Sequence, residues 1–120
     1  MIADAMLPKL LHPRTVAERP LVAEAVRKMI LNTDPQGIAA ALRGMAARPD
    51  VADLLPTIDV RALVLVGAED AITPAAEMQN MANAIQGAQF AVIPDAGHLS
   101  PLENSAAVNR LLGEFLRSGQ

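Results

Sequence analysis

Apolar and polar positions divide the chain into a helical first part and an alternating second part. Between Pro20 and Leu31, apolar Leu21, Val22, Ala25, Val26, Met29 and Ile30 recur at three-and-four spacing, away from Glu18, Arg19, Glu24, Arg27 and Lys28. That period lines one face of a helix. Asn32-Thr33-Asp34-Pro35 interrupts it; Asp34 suits an N-cap and Pro35 the first helical position. A second stripe follows in Ile38, Ala39, Leu42, Met45 and Ala46 and stops at Pro49, with one further helical turn predicted over 50–55. The domain boundary is placed near Pro56, with residues 1–55 a helical segment and 56–120 a separate unit.

From Val60 the pattern changes. Ala62-Leu63-Val64-Leu65-Val66 is apolar without alternation, as in a parallel strand covered on both faces, and Gly67 ends it. Thr73-Pro74 reads as an N-cap followed by proline at the first helical position, although Ala76 stands where a capping box needs Glu or Gln. Met78, Met81, Ala82 and Ile85 form that helix's stripe, and Gly87 is a natural C-terminal glycine. A second strand, Phe90 to Ile93, is closed by Pro94. Asn104 opens a last helix with the stripe Val108, Leu111, Leu112, Phe115 and Leu116. The expected class is α/β: a parallel β-α-β-α unit preceded by helices.

Composition narrows the function. The 120 residues suffice for one modest core, and 52% of them are hydrophobic. The only aromatics are Phe90 and Phe115 and the net charge is −3, which argues against nucleic acid or an anionic membrane surface as partner. The chain has no cysteine, so no disulfide or zinc-thiolate site is expected, which fits a cytoplasmic chain. No apolar run reaches the roughly 18 residues needed to span a bilayer. The opening MIADAMLPKLL carries Asp4 and Pro8 and lacks the form of a secretion signal.

Two residues stand where chemistry is expected. Gly67-Ala68-Glu69-Asp70 follows the first strand, and Asp95-Ala96-Gly97-His98 follows the second. Parallel neighbours deliver both loops to the same carboxyl edge of the sheet, where α/β proteins bind their ligands. Asp70 could then accept the proton on one ring nitrogen of His98 and leave the other nitrogen as a base. Taken singly, an aspartate after a strand is an ordinary turn residue and a loop histidine an ordinary solvated one. Their matched placement makes the pair a candidate. His12, beside Pro13, reads as a loop residue. Glu77 and Glu103 read as helix-start carboxylates explained by the dipole, and the methionine stripes as core.

The stretches LVLVGAEDAITP (Leu63 to Pro74) and FAVIPDAGHLSPLEN (Phe90 to Asn104), with the helix bearing Val108 and Phe115, resemble the C-terminal part of the α/β-hydrolase fold in its esterase and lactonase branch. The resemblance implies that Asp70 is the acid and His98 the general base of a Ser-His-Asp triad, with no metal or cofactor and an ester or lactone as substrate. MLPKLL and the paired helices up to Pro49 resemble the helical cap of oxoadipate enol-lactone hydrolases. The fold class is thus a partial α/β-hydrolase fold behind a cap-like segment.

The family's nucleophile sits in a Gly-x-Ser-x-Gly elbow before the acid and the histidine. This sequence contains no such motif; its serines are Ser100, Ser105 and Ser118. The expectation is a chain lacking the nucleophile half, incomplete or inactive alone. Without that half, the apolar edge Ala62–Val66 has no strand on one side, which invites pairing. The expected partner is a second copy joined edge to edge about a twofold axis, or the missing N-terminal hydrolase half. A non-catalytic scaffold, or a module binding a small hydrophobic ligand, is the alternative.

Overall fold

The structure, a computed structural model, describes residues 2–119. Four helices come first: α1 (Ile2–Leu10), α2 (Pro13–Glu18), α3 (Pro20–Leu31) and α4 (Pro35–Ala47). Prolines open α2, α3 and α4, where the missing N–H is one the helix leaves unpaired in any case. Asp34 caps α4 by accepting from the Gln36 N–H at 3.0 Å, as the sequence predicts. A 3-10 turn, Ala52–Thr57, leads to β1 (Leu63–Gly67), α5 (Ala75–Ala84), β2 (Gln89–Ile93), the short α6 (Ser100–Glu103) and α7 (Ser105–Arg117).

β1 and β2 pair in parallel, with Leu63 opposite Gln89 and Gly67 opposite Ile93. The two-stranded parallel sheet and its helices confirm the expected α/β class; β1 lies one residue later than its predicted span, and β2 starts one residue earlier and ends where predicted. Leu65 and Ile93 share one sheet face, since they are in phase across that register. They form a core with Ala96, Ala107, Val108 and Leu111, which seats α7. α5 lies against both strands.

A second core joins Leu11, Ala23 and Val26 with Leu7, Leu10, Ile30 and Leu99. Leu99 belongs to the loop after β2, so the helical segment is anchored beside that loop. Here the predicted stripes need correction. Leu21 is 85% exposed and Met29 53%, while Ala23 and Val26 are buried. α3 meets only α1 and α2 closely, so a narrow line of contacts suffices. The α4 stripe buries none of its residues among the described ones, and Leu42 and Met45 are exposed.

Candidate active site

The two loops at the carboxyl edge of the sheet are joined through their backbones. The Ala68 N–H donates to the Ile93 carbonyl at 2.9 Å, and the Glu69 N–H to the Ala96 carbonyl at 3.0 Å. Gly67 permits this approach: a Cβ there would stand 2.5 Å from the Ala96 carbonyl oxygen. Gly97 in turn lies against the Leu11–His12 backbone, where a Cβ would sit 2.9 Å from the His12 nitrogen. Glycine is needed at both positions because backbone, which cannot give way, is the neighbour.

Asp70 is buried, its side chain 5% exposed. Oδ1 accepts the N–H groups of Ile72 and Thr73, each at 2.9 Å, and Oδ2 accepts the Thr73 hydroxyl at 2.8 Å. His98 Nδ1 stands 2.9 Å from Oδ2 and 3.1 Å from Oδ1. Burial pushes the Asp70 carboxyl up. The Thr73 N–H, His98, the Thr73 hydroxyl and the Ile72 N–H together outweigh it and hold the group below its ordinary value of 3.8. An ionised carboxylate only accepts, so the proton belongs on His98 Nδ1. Nε2 makes no hydrogen bond among the described residues, and the ring is 35% exposed. The arrangement is a buried, ionised acceptor fixing the tautomer of a half-exposed imidazole, which leaves Nε2 able to take a proton.

The structure thus brings together the two residues singled out in the sequence. It also assigns three others differently. Thr73 does not cap α5: Pro74 is the N-cap residue without a side-chain bond, and the Thr73 hydroxyl goes to Asp70. His12 is the N-cap of α2 and accepts from the Arg14 N–H. Glu103 closes the four-residue α6 and is buried, its carboxylate taken by backbone N–H groups of Gly97 and His12. A helix dipole does not explain that placement. Ser100, two residues after His98, is buried at the first position of α6.

Among the described residues, no three His, Cys, Asp or Glu side chains are grouped to hold a metal ion, and no helix is long and apolar enough to cross a membrane. An apolar cavity of about 320 Å³ lies between α1, α3 and α4, lined by Met6, Leu10, Met29, Ile38 and Leu42 among others.

Comparison with known proteins agrees with this geometry. A family described as TAP-like protein, within the α/β-hydrolases, matches residues 40–120. A thermophilic esterase from Thermogutta terrifontis is 50% identical with a TM-score of 0.93, over 98% of this chain and 43% of that one. The enol-lactonase from Burkholderia xenovorans is 31% identical with a TM-score of 0.89, over 97% of this chain and 44% of that one. 3-Oxoadipate enol-lactonase 1 of Acinetobacter baylyi is 32% identical over 82% of this chain and 36% of its own length. The chain therefore spans less than half of each relative. The sheet, the spacing of its two loops and these matches together lead to one conclusion: the chain belongs to the α/β-hydrolase family, in its esterase and lactonase branch, and represents a C-terminal part of that fold.

Proposed function

We propose that this chain supplies the acid and the general base of a Ser-His-Asp triad for ester or lactone hydrolysis, with Asp70 as the acid and His98 as the base. The observation that carries the reading is the 2.9 Å contact between His98 Nδ1 and the buried Asp70 carboxylate, with Nε2 left free. The nucleophile is a serine on a Gly-x-Ser-x-Gly segment outside this sequence, in the preceding part of a longer chain or on a partner. As the serine oxygen bonds to the acyl carbon, His98 Nε2 takes its proton. Nε2 then gives that proton to the leaving oxygen as the acyl–oxygen bond breaks. Water reverses the sequence: His98 takes a proton from it, hydroxide adds to the acyl carbon, and the serine leaves with the proton. Asp70 stays ionised throughout and stabilises the imidazolium.

In this reading residues 1–55 act as a cap over the acyl group and residues 56–120 as part of the catalytic domain. The cysteine-free composition supports a cytoplasmic setting. Hydrolysis of p-nitrophenyl acetate tests the base: joined to a hydrolase half that carries the Gly-x-Ser-x-Gly serine, the protein should turn it over, and His98→Ala should abolish most of that rate. Equal rates for the two proteins would overturn the role of His98.

The apolar cavity between α1, α3 and α4 favours a second reading, a non-catalytic module that binds a small hydrophobic ligand. Saturable binding of an aliphatic probe, unaffected by His98→Ala and without any hydrolysis, would select it.

A further inference from the structure

Among the described residues, Glu103 is one of four buried polar ones, at 5% exposure, and the only carboxylate besides Asp70 among them. Burying an ionised carboxylate is costly unless it is fully hydrogen-bonded. Its two oxygens are divided between two distant parts of the chain. Oε2 accepts the N–H of Gly97, the residue before His98, at 2.7 Å. Oε1 accepts the N–H of His12, at the junction of α1 and α2, at 2.6 Å. The helical segment is tied to this region twice more, once at the end of α1 and once at Arg19, between α2 and α3. The Leu99 N–H donates to the Leu10 carbonyl at 3.2 Å, and the Arg19 guanidinium donates to the Glu103 carbonyl. On either side of His98, Gly97 is linked to the helical segment through Glu103 and Leu99 directly through Leu10, while the imidazole is held by Asp70.

We propose that Glu103 is a positioning residue: a clamp through which docking of the helical segment fixes the backbone at His98, and so the ring against Asp70. This rests on the reading of His98 as the base. It adds that the base is correctly placed only while the α1–α2 junction is seated. The clamp needs an acceptor at both ends. A glutamine of the same shape has one acceptor oxygen and one donor nitrogen, so it would leave either the Gly97 or the His12 N–H facing a donor.

The test is Glu103→Gln in the whole chain, read by NMR at the His98 ring and at the backbone amides. In the native protein the ring should show one tautomer, protonated on Nδ1. In the variant it should show a mixture of tautomers, and the Gly97 or His12 amide should exchange about tenfold faster, as loss of one buried hydrogen bond implies. The Ile72 and Thr73 amides, bonded only to Asp70, should keep their protection. A folded variant with unchanged His98 resonances would overturn the proposal, since a merely structural glutamate does not govern a tautomer. If the variant does not fold, amide exchange in the native protein decides. A clamp opens once, so the Gly97 and His12 amides should show matching protection; protection differing by more than about tenfold would overturn it. These measurements read geometry rather than turnover. An inactive His98 would leave the clamp standing, and an absent clamp would leave the p-nitrophenyl acetate result standing.

Discussion

Asp70 uses both carboxylate oxygens inside the turn that follows β1, and His98 adds itself to an acceptor already fixed by Ile72 and Thr73. Because its folded-state pKa is lowered, the ionised group contributes stability that is fully present above its ordinary value of 3.8. That contribution is lost as pH falls through 3.8 toward the lower value of the folded state. Asp70→Asn should cost about 1–3 kcal/mol at neutral pH, because a donor nitrogen replaces one acceptor amid N–H and O–H donors. Urea unfolding followed down through pH 3.8 should show the native midpoint falling and the variant's staying flatter. Equal slopes would mean that Asp70 is not the group being titrated. Asp70 and His98 could be read from the sequence because each closely follows an apolar run closed by glycine or proline. Thr73 could not, since Thr-Pro also describes an ordinary helix start. Glu103 was hidden for a different reason: its partner at His12 lies 91 residues away in the chain.

Among the elements, the strands were the most legible. An unbroken apolar run of five residues has few other homes than a covered parallel strand, and the crossover helix between the two strands makes their pairing parallel. Helix faces were less so. α3 buries Val26 as the stripe predicts, and Ala23 with it, but leaves Leu21 and Met29 exposed, because it packs chiefly on α1 and α2 along one side. The cap at Asp34 was read correctly, where the side chain makes no other hydrogen bond among the described residues. Asn104 does two things at the start of α7. Its oxygen accepts from the Ala107 N–H at 3.2 Å, and its amide nitrogen donates to the Pro94 carbonyl at 3.0 Å, tying the helix to the end of β2. Asn104→Ala should therefore destabilise by about 1–2 kcal/mol, at the upper end for a cap, measured as a lower urea midpoint. A midpoint shared with the native protein would show that α7 is held by its apolar face alone.

The whole molecule is open for its size. Its radius of gyration is 16.1 Å, against about 14 Å for a compact chain of this length. Leu21, Val60, Leu116 and Leu54 are more than half exposed, and β1 has a strand on one side only among the described residues. Two strands with helices bury little by themselves. The account therefore predicts association: at micromolar concentration, light scattering should give twice the 12.6 kDa of the chain, through antiparallel pairing of β1 edges. A well-folded monomer would contradict that pairing. The exposed faces could not be anticipated from periodicity, which shows where apolar residues fall but not whether anything packs on them.

The central claim is that Asp70 and His98 are the acid and base of an ester-hydrolysing triad, and a chimera tests it most directly. This chain would replace the corresponding 43% of the Thermogutta terrifontis esterase, to which it is 50% identical. The account predicts a chimera that hydrolyses p-nitrophenyl acetate and loses roughly a thousandfold or more of that rate with His98→Ala. A folded chimera whose rate is the same with and without His98 would contradict it.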